Sequence, residues 1–206
     1  KVMVNADTKQ AQKGLAGLKQ RMEGLTQKTR TAGLALSGMG AAGVLAIKGF
    51  ASAALEQEQA LRVLGATVEN TGVSFDSVKQ KILDTTSALQ EKTNFGDEEQ
   101  IRVLGLMTTI LGDVDQAMLA LPAVMDAASA SGKDLNSVAQ TLTKALAGQV
   151  HQAESIGIQF DKDATFAERL ALTLGKVGGA AEANVDPFQQ MSNDLGDLRE
   201  KIGMAL

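Results

Sequence analysis

The chain has 206 residues and a net charge of −4, with an apolar share of 44%, no Cys, Trp or Tyr, six Phe and 21 Gly. The lack of Cys excludes disulfides, thiolate metal sites and cysteine nucleophiles, and the acidic balance argues against general attraction to nucleic acid. Aromatic side chains supply much of the bulk of an ordinary core, so Ala, Leu, Val and Met must do the packing here. That suits closely spaced helices in a thin, extended protein.

Residues 1–4 (KVMV) alternate briefly and allow one short strand. The first 30 residues hold seven Lys or Arg against Asp7 and Glu23, which reads as a solvated basic helix face. Within them Ala11, Leu15, Leu18, Met22 and Leu25 step by four and three, a heptad seam interrupted by Gly14, Gly17 and Gly24. Lys1 is not an initiator residue, so the sequence reads as a portion of a longer chain.

Residues 31–55 (TAGLALSGMGAAGVLAIKGFASAAL) carry one charge, Lys48. As a helix they would span about 36 Å, enough for a bilayer's hydrocarbon core. Apolar residues fall on every face, so other copies, a tube wall or lipid must cover them. Small residues four apart, Gly38 with Ala42 and Ala42 with Ala46, would let neighbouring backbones approach closely. A signal peptide is a poor fit, because the run sits deep in the chain and is rich in Gly.

Helix continues over 55–68 until the turn signal Asn70-Thr71-Gly72. Ser74 is placed to cap a helix to about Glu91, with Val78, Ile82, Leu83 and Leu89 inward. Asn94 is the next expected cap, and Asp97, Glu98 and Glu99 favour the positive end of the helix that follows. Ile101, Val103, Leu104, Met107, Ile110 and Leu111 line that helix, and Gly112 stops it. A helix from Val114 meets Pro122, which must kink it or open a new one, and Gly132 ends this piece. Asp134 caps a helix over 135–147 with a stripe of Leu135, Val138, Ala139, Leu142, Ala145 and Leu146, closed by Gly148.

A short helix is expected over 150–156, then Gly157; Ile158-Gln159-Phe160 is too short to establish a strand. Thr165 caps a helix through Phe166, Leu170 and Leu174, ended by Gly178-Gly179. In the last helix Asp186 sits at the cap, Pro187 at the first position and Gln189 where a capping box places it. Phe188, Met191, Leu195, Leu198 and Ile202 then repeat on a heptad seam that runs to the end of the sequence. The expected organisation is all-α: a basic heptad helix (1–30), the Gly/Ala-rich apolar helix and its continuation (31–69), a small helical bundle (70–184), and the start of a coiled coil (185–206). The helices are amphipathic, in an extended, loosely bundled or coiled-coil arrangement with at most one short N-terminal strand.

Three motifs carry less than they suggest. Gly38-Met39-Gly40-Ala41-Ala42-Gly43 matches the dinucleotide pattern G-x-G-x-x-G, but no strand leads into it and no acid closes a second strand. Asp161-Lys162-Asp163-Ala164-Thr165 opens like a calcium loop, yet Phe166 stands where Gly is required and Leu172 where Glu is. His151 is the single histidine, with Glu154 its nearest acid at helical spacing and no second His to build a zinc site. No G-x-S-x-G elbow is present. No catalytic, cofactor or metal site is expected, and the candidate functional residues are the packing positions: Leu15, Leu18, Met22, Leu25, Gly38, Ala42, Ala46, Phe188, Met191, Leu195, Leu198 and Ile202.

Several segments recur in a particular order. They are the Gly/Ala run ending in Phe50-Ala51-Ser52-Ala53-Ala54-Leu55-Glu56-Gln57, then Asn94-Phe95-Gly96-Asp97-Glu98-Glu99, then Leu119-Ala120-Leu121-Pro122-Ala123-Val124-Met125-Asp126 leading to Ala128-Ser129-Ala130-Ser131-Gly132-Lys133-Asp134-Leu135. Lys144-Ala145-Leu146-Ala147-Gly148, Ile156-Gly157-Ile158 and Gly178-Gly179-Ala180-Ala181-Glu182-Ala183 follow. In this order the sequence resembles the N-terminal part of tail tape measure proteins of long-tailed bacteriophages and prophages.

The resemblance implies structural work rather than catalysis. Such proteins are helical rods, several copies side by side in the lumen of the virion's tail tube, that set tail length during assembly and leave ahead of the DNA. It implies as partners other copies of the chain, the tail tube protein, tail assembly chaperones and tail tip or baseplate proteins, with the host membrane as a contact during infection and no sequence-specific nucleic acid. The competing expectation is a membrane-active helical protein, a pore-former or secreted scaffold, that inserts residues 31–55.

Overall fold

The computed structural model describes residues 41–204, with side chains from Leu55 onward apart from several in the last helix. Among the described residues the chain is all-α, with eight α-helices, one 3-10 helix and no strand. The α-helices are α1 (Ala41–Asn70), α2 (Phe75–Gln90), α3 (Asp97–Leu111), α4 (Val114–Ser131), α5 (Leu135–Leu146), α6 (Phe166–Val177), α7 (Ala180–Ala183) and α8 (Pro187–Met204), and the 3-10 helix covers Val150–Ile156. Leu55–Asn193 form one compact unit. The short strand expected over 1–4, the basic heptad helix and residues 31–40 lie outside the described residues.

The compact unit is organised around α4. Val114, Ala117, Met118, Ala120, Leu121, Ala123, Val124, Met125, Ala127 and Ala128 leave no broad polar face on this helix, and all are buried. A helix apolar all round belongs inside, and α4 packs against α2, α3, α5, α6 and α7. Its many alanines let those neighbours come close. Pro122 lies inside α4, and the helix continues through it. The missing N–H costs the Met118 carbonyl its helical partner, while the surrounding packing holds the helix as one piece.

The remaining helices turn one stripe each toward this centre. On α3 the inward residues are Ile101, Val103, Leu104 and Met107; on α5 they are Leu135, Val138, Ala139, Leu142, Ala145 and Leu146. Burying each large aliphatic side chain contributes about 1.5–3 kcal/mol. From α1, Ala60, Leu64 and Val68 join the same core at helical spacing. Gly65 makes room for the Phe75 ring, since a Cβ there would lie 3.0 Å from its Cδ1. Within 55–193, then, the chain itself buries most of these apolar stripes, while Leu55, Val63 and Leu119 stay exposed.

The expected stops and caps are found at most helix ends. Gly112 and Gly132 end α3 and α4 in the left-handed conformation, and the Asp134 carboxylate accepts from the Ser137 amide at 2.9 Å to start α5. Two local expectations need correction. Ser74 stands at the N-cap of α2, but its side chain makes no capping bond there; the Ser77 hydroxyl instead donates to the Ser74 carbonyl at 2.6 Å. Gly96, not Asn94, is the N-cap of α3. On α6 the buried residues are Arg169, Leu170 and Thr173, and Leu174 is exposed.

Candidate functional site

Three buried or half-buried polar side chains in the compact unit bind backbone rather than other side chains, and each ties together segments far apart in sequence. Arg169 is buried on α6. Its Nε and Nη2 donate to the Leu146 carbonyl at 3.1 and 2.9 Å, and its Nη1 to the Ala164 carbonyl. Leu146 closes α5, so its carbonyl has no helical partner, and a cation at a helix C-terminus is also favoured by the helix dipole.

Asp126 reaches from the middle of α4 to the start of α7. Its Oδ2 accepts from the Gly179 amide at 3.0 Å and its Oδ1 from the Ala181 amide at 2.9 Å. A four-residue helix is too short to be stable alone, and the carboxylate satisfies amide groups at its start. Asn94 does the corresponding work beside α8. Its Nδ2 donates to the Asn184 carbonyl at 2.7 Å, its Oδ1 accepts from the Asp186 amide at 2.7 Å, and its own carbonyl accepts from Asn193 Nδ2 at 3.2 Å. The start of α3 is capped across the α2–α3 connection by Gln90, whose Oε1 accepts from the Asp97 amide at 2.9 Å.

Sequence reasoning missed these anchors for a common reason. The Asn94 and Asp126 bonds span more than 50 residues, and nothing local marks such a contact. One missed feature was visible: Thr165-x-x-Glu168 is a capping-box pattern, and both of its reciprocal bonds form.

An open groove of about 320 Å³ runs between α1 and α3. Glu56, Gln59 and Val63 line one side and Ile101, Arg102 and Gly105 the other. Beside it Leu55 and Val63 on α1 are 59% and 61% exposed. An apolar floor with charges at the rim suits side chains of another helix better than a small polar substrate.

Two carboxylates near helix starts have shifted titration, in opposite directions. Burial raises the Glu99 pKa, and the neighbouring Asp134 carboxylate adds to the rise while Arg102 partly offsets it. Glu168 is lowered, first by the Thr165 backbone amide and then by the Thr165 hydroxyl, which both hydrogen-bond to its charged form.

Of the packing residues singled out in the sequence, Leu15, Leu18, Met22, Leu25 and Gly38 lie outside the described residues. Ala42 and Ala46 fall within α1, and Phe188, Met191, Leu198 and Ile202 within α8; their side chains are not among those described. Leu195 is half-buried. In the G-x-G-x-x-G stretch, residues 41–43 are helical. Asp161 uses its Oδ1 to accept from the Asp163 amide at 3.0 Å, and exposed His151 pairs through Nδ1 with Glu154 at 3.0 Å. Among the described residues no group of three or more His, Asp or Glu is gathered as metal ligands, and no helix is long and apolar enough to cross a membrane.

No protein-family model, curated protein or solved structure matches the chain.

Proposed function

We propose that this chain belongs to a tail tape measure protein of a long-tailed bacteriophage or prophage, a structural protein that acts through helix association. The observation that carries the reading is how the segments behind the resemblance pair. Asn94 of one segment hydrogen-bonds Asn184 beside another, and Asp126 holds Gly179 and Ala181. The ordered pieces are parts of one packed unit rather than unrelated helices that happen to share caps.

Helical geometry suits a ruler. The 30 residues of α1 extend about 45 Å, and added helical residues lengthen a rod in proportion. The exposed Leu55 and Val63, with the groove beside them, offer a surface for neighbouring copies or for the tail tube protein. In this reading the chain lies in the tail tube lumen, is delivered with the help of assembly chaperones, meets tip or baseplate proteins at one end, and is expelled ahead of the DNA. The membrane-active alternative draws on residues 31–55 and gains no support from the described part of that stretch.

The test is location. Tailed particles produced from the genome that encodes the chain should contain its peptides in the tail fraction, at several copies per particle and protected from protease until the tube is opened. Tails that lack those peptides, together with flotation of the chain on liposomes, would favour the membrane reading.

A further inference from the structure

Helices α1 and α3 lie side by side and point the same way. Gln57 Nε2 donates to Asp97 Oδ2 at 3.1 Å. Two turns further along both helices Leu64 lies against Gly105, where an added Cβ would be 3.8 Å from Leu64 Cδ1. The groove between them is floored by Ala60, Leu64 and Ile101, all buried, and the exposed Leu55 and Val63 extend its apolar surface. Its charge is one-sided at the Gln57–Asp97 end. Glu56 lines the groove there, and Glu58 and the first turn of α3, Asp97-Glu98-Glu99, stand at the same end. Arg62 and Arg102 are the nearby cations. The positive end of the α3 dipole offsets only about half a charge, so this end stays negative.

The chain segregates its charges. Residues 55–193 hold 19 Asp or Glu against 10 Lys or Arg, whereas residues 1–30 hold seven Lys or Arg against two acids. In the heptad that puts Leu15 and Met22 at position a and Leu18 and Leu25 at d, Lys19 falls at e and Arg21 and Lys28 fall at g. Positions e and g flank the seam and meet the partner. Glu23 falls at b, away from it. The stretch from Leu18 to Leu25 would rise about 10 Å as a helix, the same as from Glu56 to Val63 along the groove. An apolar seam edged with cations therefore matches an apolar groove with an acidic end, in length and in charge.

From this we infer that the α1–α3 groove is the docking site for the basic seam, residues 15–28, of a second copy of this chain. Because α1 runs unbroken from Ala41, the chain's own seam would have to fold back about 22 Å along it to reach Glu56; a neighbour's seam has no such constraint. The inference names the partner for the helix association proposed above and rests on that reading. Its test uses the isolated chain, so its failure would leave the test of particle location untouched.

The chain has no Cys, so single cysteines report the contact without background. A size-tagged Thr26→Cys chain is mixed with a Gln59→Cys chain and oxidised, and the mixed disulfide is measured on a non-reducing gel. Thr26→Cys mixed with Ala171→Cys, whose second site is exposed on α6, gives the level of random encounter. The groove pair should exceed that control on the order of tenfold at about 0.05 M salt, and the excess should fall severalfold at about 0.5 M as the charges are screened. Lys19→Glu with Arg21→Glu on the first chain, or Glu56→Lys with Glu58→Lys on the second, should each lower the yield severalfold, and combining them should restore it. That rescue separates a lost contact from a lost fold. A groove pair that forms no more disulfide than the control would overturn the inference. So would charge reversals without effect, or without rescue when combined. A disulfide that closes only inside single chains carrying both Thr26→Cys and Gln59→Cys would overturn it as well.

Discussion

Arg169 donates two hydrogen bonds to one oxygen, the carbonyl of Leu146, from Nε at 3.1 Å and Nη2 at 2.9 Å. The two residues stand 23 positions apart, and through them α6 is fixed to the open end of α5. The guanidinium is buried, so its loss leaves a buried carbonyl without a partner. Arg169→Ala should therefore lower unfolding free energy by about 1.5–3 kcal/mol. Arg169→Lys should recover only part of this, because an ammonium cannot reproduce the planar fork. Chemical denaturation of the three proteins decides it; a silent Arg169→Ala would mean that α6 is docked by its apolar face alone.

Two leucines two positions apart on α4 should behave oppositely. Leu121 is fully buried and Leu119 is 64% exposed. Leu121→Ala should cost about 2–5 kcal/mol through the cavity it opens. Leu119→Ala should stay within about 0.5 kcal/mol in the isolated chain. Equal effects in thermal or urea unfolding would contradict the placement of α4 at the centre of the unit.

Asn94→Ala removes one donor and one acceptor that hold the Asn184 carbonyl and the Asp186 amide. The expected loss is about 1–3 kcal/mol, concentrated locally. Hydrogen exchange should quicken at the Asp186, Gly179 and Ala181 amides, while α3 and α5 keep their protection. Uniform loss of protection would show that the closing segment and the core unfold together.

The two shifted carboxylates predict opposite pH responses. Glu99 has a folded pKa above its ordinary value of 4.5, so the folded state holds the proton more tightly than the unfolded one. Its contribution is fully present below the unfolded pKa and is lost as pH rises through the folded pKa. Glu168 lies below 4.5; its contribution is present above the unfolded pKa and is lost as pH falls through the folded one. Glu99→Gln should therefore flatten the decline in stability on the alkaline side of pH 4.5, and Glu168→Gln the decline on the acid side. Unfolding curves across pH 3–7 that are unchanged by both substitutions would contradict the two environments.

How much of this was legible in the sequence depends on the range of the interaction concerned. The α5 stripe from Leu135 to Leu146, the Asp134 cap and the Gly112 and Gly132 stops follow from neighbours within about one turn, and all were readable. Whether α4 would run on through Pro122 or begin anew there was left open by the sequence, because proline fits both a kinked helix and a first helical position; the helix runs on. Asn94 looked like a cap for α3, since Asn before an acidic first turn usually is one. Its real partners, Asn184 and Asp186, lie about ninety residues downstream. Asp126 and Arg169 are charged residues that periodicity alone would send to solvent, and only the assembled fold shows the backbone groups that draw them in.

The central claim, that the chain works as a length-setting rod in a phage tail, is tested most directly by tail length itself. In-frame deletions and duplications of whole heptads, made in helical stretches of the gene that encodes this chain, would be followed by electron microscopy of the resulting particles. The account predicts tails shorter or longer by about 1.5 Å per residue removed or added. Tails of unchanged length, in particles that still incorporate the altered protein, would contradict it.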